Sequence, residues 1–191
     1  MPAYAPLVSV AEIFTGTAPQ QGGHGLQQAK FIQIKDLEPL KRDLVAGSVP
    51  DVKRASPVQP GDVLLAARGE QATAIVATPD LYGAFPTLDV YLIRPDSLQL
   101  LPEYLVAWLE QPHVRTSLRA STTGALIPRI PVGSLRDLPI PLPRLGVQQA
   151  VGEFAQAARR EQALLSQLAE LSQARAGQQL ANAFASLERK S

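Results

Sequence analysis

Two histidines, His24 and His113, are the side chains whose ordinary pKa lies nearest neutrality, and they stand 89 positions apart in a chain of 191 residues. Neither has a second histidine or a cysteine at ligand spacing, so each reads as a loop or surface histidine rather than a metal ligand or general base. His24 sits in GGHG, but Gly22, Gly23 and Gly25 lack the strand-to-helix setting that a phosphate cradle requires. There is no GxxxxGK[ST], no GxGxxG after a strand, no HExxH and no GxSxG, and the carboxylates are scattered singly. Cysteine is absent, which excludes disulfides, a thiolate nucleophile and thiolate metal sites. No catalytic residue and no metal ligand is assigned, and the pattern points to a binding or scaffolding protein rather than an enzyme.

The elements that would position a binding surface divide at the last proline. All 17 prolines lie at or before Pro143. Beyond it, residues 146–191 hold 11 alanines with many Leu, Gln, Glu and Arg, strong helix formers whose apolar members recur at three- and four-residue steps. Val147, Val151, Phe154, Ala158, Leu165 and Leu168 form one stripe. A second, drifting stripe runs through Leu164, Leu168, Leu171, Leu180, Ala183, Phe184 and Leu187. Gly177 weakens the middle by about 1 kcal/mol relative to Ala and marks an expected bend or break. A helix of about 40 residues would be about 60 Å long and needs a partner for its apolar face.

Residues 1–145 read instead as short strands between Pro and Gly turns. Expected strands are Phe31 to Ile34, Asp62 to Ala66, Thr73 to Val76 and Leu88 to Ile93, each rich in β-branched or aromatic residues. Expected helices are Pro102 to Leu109, with Pro near its first turn, and Val114 to Ala120. Pro139, Pro141 and Pro143 fix an extended path into the last helix. The expected architecture is α+β: a mixed, strand-rich domain over 1–145, then one long C-terminal helix over 146–191 that pairs in a coiled-coil-like manner.

Eighteen Lys and Arg against 17 Asp and Glu leave a net charge of +1, so any acidic partner must be held by a local patch. The balance is local too, with six basic against five acidic residues in 1–60 and seven against eight in 61–145. No stretch approaches the length of an apolar membrane span, and residues 1–16 lack the basic start and apolar run of a secretory signal. A cytoplasmic protein without a membrane partner is expected.

Several segments taken in order carry a resemblance. They are FIQIKDL at Phe31 to Leu37, VQPGDVLLAARG at Val58 to Gly69, YLIRPDS at Tyr91 to Ser97 and LLPEYLVAWLEQPHVR at Leu100 to Arg115. TTGALIPRIPVGSLRDLPIPLPRLGVQQ follows at Thr122 to Gln149, and then a helix containing EQALLSQL. Together, over about residues 5–175, they resemble the specificity (S) subunit of type I restriction-modification systems. The resemblance implies a target recognition domain that reads one half of a split double-stranded DNA site, followed by a spacer helix. It implies a methyltransferase (M) subunit as partner, and a restriction (R) subunit in full complexes. It also places S-adenosylmethionine and methyl transfer to adenine on the M subunit, with no cofactor on this chain. S subunits carry two recognition domains and two spacer helices, whereas this sequence has one of each and looks like a half subunit, with a homodimer through the C-terminal helix as the expected assembly.

For DNA, phosphate contacts position and base contacts specify. Basic and hydroxyl residues in or beside loops are the candidates: Lys30, Lys35, Lys53, Arg54, Arg68, Arg119, Thr122, Thr123 and Arg129. Arg68, in AARGEQ after a strand, has the side chain for a bidentate fork to guanine, and Arg129 in IPRIP faces either DNA or solvent. Val151, Phe154, Leu165, Leu168 and Leu171 are the expected anchors of the partner interface. The alternative from another class is a non-enzymatic coiled-coil adaptor whose α+β domain binds protein, which the near-zero net charge favours.

Overall fold

The computed structural model describes residues 3–20, 27–38, 42–49, 56–69, 73–120 and 129–188, with side chains described to residue 182. In chain order the strands are β1 (Ala3–Pro6), β2 (Ala11–Thr15), β3 (Gln27–Ile32), β4 (Val45–Val49), β5 (Val63–Ala66), β6 (Ala74–Val76), β7 (Phe85–Pro86), β8 (Val90–Pro95) and β9 (Pro139–Leu142). The helices are α1 (Pro102–Leu109), α2 (Pro112–Ala120), α3 (Val132–Arg136) and α4 (Leu145–Glu188). The fold is mixed α+β with a long C-terminal helix. The chain falls into two compact units, Met1–Gly152 and Glu153–Ser191.

The central element of the first unit is an antiparallel sheet in the order β2-β8-β5-β6. Its middle strand β5 reads VLLA and is buried at every residue, because both faces of the sheet are covered. Alternation sends Val63 and Leu65 into one core with Leu105, Leu109, Leu135 and Ile140, and Leu64 and Ala66 into a second core with Ile32, Leu37 and Leu81. A smaller sheet, β4-β3-β7, packs Phe31 against Phe85 at a ring separation of 6.2 Å.

Strand β5 is launched by a tight turn. Gln59 accepts the Asp62 N–H at 3.2 Å around Pro60 and Gly61, and Gly61 takes a φ of 84°, which favours glycine. The turn delivers Asp62, fully buried, to a bidentate pair with Arg94 of β8 at 2.8 and 2.9 Å. The proline-rich segment is extended as expected, but it is also a strand: β9 pairs with β1 alone, in a two-stranded ribbon where proline removes no interior hydrogen bond.

Some expectations are corrected. Phe31 to Ile34 is not one strand: β3 starts at Gln27 and stops at Ile32, and Ile34–Leu37 is a 3-10 turn closed by the buried Asp36 carboxylate, which accepts the Gln33 and Asp43 N–H groups at 2.8 Å each. Helix α4 runs unbroken through Gly177. Strands β1, β2, β4 and β7 and helix α3 carry no clear periodic signal, being short or, like β7, only two residues long.

Candidate nucleic-acid interface and partner face

Two of the basic candidates meet at one end of the central sheet. Just beyond β5, Ala67 donates its N–H to Asp89 O at 2.8 Å, and its carbonyl accepts the Ile130 N–H at 2.9 Å. Arg68 and Arg129 therefore face each other across an isolated antiparallel bridge. Three connecting segments converge there: the one after β5, the turn before β8 and the approach to α3.

The two arginines are used differently. Arg129 is built into the fold: its Nη2 donates to Leu88 O at 2.7 Å, its Nε to the Tyr91 hydroxyl at 3.4 Å, and its guanidinium lies 5.5 Å from the centre of the Tyr91 ring. Tyr91 in turn donates to Ile130 O at 2.6 Å. Arg68 is about half exposed, and its Nε meets Asp89 Oδ1 at 3.0 Å. That contact is made by Nε and does not use the Nη1–Nη2 edge, one of the two edges with which arginine can fork an acceptor.

The remaining candidates lie elsewhere. Lys30 is exposed on β3, and with Gln28, Leu44, Ala46, Asp80 and Tyr82 it lines a groove of about 570 Å³. The Thr78 hydroxyl, and after it Arg42, hold the Asp80 carboxyl below its ordinary pKa, so the groove carries an anion beside its cation. Lys35 donates to Asp43 O at 3.1 Å and sits between the Asp36 and Asp43 carboxylates. Arg119 is exposed in the last turn of α2. Lys53, Arg54, Thr122 and Thr123 lie outside the described residues, as does the GGHG segment. Among the described residues no three metal-ligating side chains come together, and no helix is long and apolar enough to cross a membrane.

On α4 the five interface candidates are all exposed: Val151 at 41%, Phe154 at 76%, Leu165 at 60%, Leu168 at 63% and Leu171 at 68%. Ala183, Phe184 and Leu187 of the second stripe have no described side chains. The first two turns dock through other residues. Gln148 is 1% exposed, and Gly152, one turn on, is buried. At about 100° per residue, Val147, Val151 and Phe154 lie about a quarter of a turn or more round from that docked side. Docking and the apolar stripe thus occupy separate faces of the helix. The sequence reading missed Gln148 and Gly152 as positioning residues; the only local signal is a glycine inside a helical pattern one turn after a glutamine.

No family model matches the sequence, and no curated protein is significantly similar to it. Solved structures are similar in fold. A chain from work on complex assembly and conformational transition of the type I R-M system superposes with a TM-score of 0.66 at 19% identity, over 88% of this chain and 45% of that one. The HsdS subunit from Thermoanaerobacter tengcongensis gives 0.59 at 21% identity, over 86% and 39%. The type I restriction-modification S subunit from M. genitalium gives 0.54 at 12% identity, over 88% and 42%. The structural neighbours thus include S subunits of type I systems, and the likeness covers most of this chain, while the chain spans less than half the length of each of these three solved chains.

Proposed function

We propose that this chain is a DNA-recognition subunit of a type I restriction-modification complex, itself without catalytic activity. Residues 1–145 serve as a target recognition domain for one half of a bipartite double-stranded site, and residues 146–191 as the spacer helix. The observation that carries this most is the agreement of fold with S subunits over 86–88% of the chain, which the ordered sequence segments support independently. An M subunit supplies S-adenosylmethionine and methylates adenine, and an R subunit joins complexes that cleave.

Within the domain, Arg68 is the favoured base-reading residue: it is exposed at a loop junction, and Asp89 restrains its guanidinium. Arg129 serves to hold the loops together. On the helix, Val151, Phe154, Leu165, Leu168 and Leu171 pack against the same stripe of a second copy. A twofold pair of this kind reads an inverted repeat, because protein symmetry is mirrored in the site.

Lys35 and Arg68 are partnered by carboxylates, which suits the alternative of a protein-binding adaptor, and salt separates the two readings. If the chain, alone or with its M subunit, neutralises about four phosphates, the log-log slope of duplex affinity against salt is about −3.6, and a fourfold rise in salt weakens binding by about 150-fold. Fluorescence anisotropy with a labelled duplex pool measures this. A slope near zero, or no duplex binding with the M subunit present, excludes the DNA function and favours the adaptor.

A further inference from the structure

We propose that Gln148 and Gly152 are specificity-determining residues that set the gap between the two half-sites, by rooting α4 on α1 in a single register. The inference rests on the DNA-recognition function proposed above and deepens it.

Gln148 is a buried side chain with both ends of its amide engaged. Its Oε1 accepts the N–H of Leu101, the cap residue of α1, at 2.9 Å, and its Nε2 donates to Gln99 O at 2.8 Å and Pro143 O at 2.9 Å. The Leu101 N–H is one of the donors that a helix start leaves unpaired, so rotation of the glutamine would strand polar groups on both sides. One turn later the backbones close up. A Cβ added at Gly152 would stand 2.8 Å from Glu103 Cβ and 3.3 Å from both Glu103 C and Tyr104 N. A Cβ at Gly146 or Gly177 of the same helix would meet nothing within 4 Å. A polar lock and a hydrogen-only contact therefore fix both the rotation and the approach of the first two turns.

The seated turns belong to one continuous helix of 44 residues. Relaxing the Gly152 contact from 2.8 Å to an ordinary separation takes about 0.6 Å at this seat, which the backbone of α1 or α4 must give.

The test is methylation by the complete chain assembled with its M subunit, on a duplex pool whose half-site regions are randomised and whose gap varies one base pair at a time, read by sequencing. Wild type gives one sharp gap. Gly152→Ala, which keeps a good helix former, shifts the preferred gap or spreads it over its neighbours. Gly152→Ala combined with Glu103→Gly, which removes the nearest opposing atom, returns the wild-type gap, and Gly146→Ala never leaves it. Gln148→Met broadens the profile. Circular dichroism melting run beside each variant shows whether it folds, and the Gly152→Ala pair decides the matter even if Gln148→Met does not. An unchanged gap in folded Gly152→Ala overturns the inference while leaving the DNA function standing. A wild-type complex with no bipartite preference overturns the DNA function itself, and this inference with it.

Discussion

Asp62 is wholly buried, and a fold tolerates an ionised carboxylate there only when its charge is matched. Arg94 matches it: the bidentate pair raises the Arg94 pKa, the same guanidinium donates to Pro57 O at 3.1 Å, and it lies 5.2 Å from the centre of the Phe14 ring. Arg94→Ala strands the carboxylate, and the expected loss is about 3–5 kcal/mol in chemical denaturation. Arg94→Ala/Asp62→Asn should recover much of it, whereas equal losses in the single and double variants would contradict the pairing. At this scale the sequence was only partly legible. The PGD turn and the strand after it were visible, but Arg94 lies 32 positions away and is brought opposite by the β5-β8 register, which no local pattern encodes. Arg129 shows the same limit: its residue type fits DNA, and only the tertiary fold reveals that Tyr91 and Leu88 engage it.

Elements with strong local signals were the legible ones. Pro102 to Leu109 stands in the structure with the expected bounds because proline starts the helix and its apolar residues follow helical spacing. β5 begins one residue later than expected, at Val63, and a continuous apolar run after a Pro-Gly turn suits a strand covered on both faces. The long helix was legible from its composition, but its docked side was not: apolar periodicity picked out Val147, Val151 and Phe154, while hydrogen bonding and close approach seat Gln148 and Gly152. The helix passes through Gly177 with open space where a Cβ would stand. Gly177→Ala is therefore expected to stabilise α4 by up to about 1 kcal/mol, visible as a raised helix melting temperature by circular dichroism. Destabilisation there would mean that a close neighbour, such as a paired helix, occupies the site.

For the molecule as a whole, the proposed function together with a near-neutral charge predicts weak DNA binding by one copy and a large gain when two copies are joined. The helix stripe is the surface proposed to join them, with Phe154, Leu165, Leu168 and Leu171 each at least 60% exposed. Exposed leucines in this number along one helix are costly to leave in water, and a second copy supplies the same stripe in a twofold arrangement. The most direct measurement is the solution mass by light scattering of the wild-type chain beside Leu165→Asp/Leu168→Asp. The expected result is twice 20.5 kDa for wild type and 20.5 kDa for the variant. A wild-type mass of 20.5 kDa, or a dimer that both aspartates leave intact, would contradict pairing through this helix.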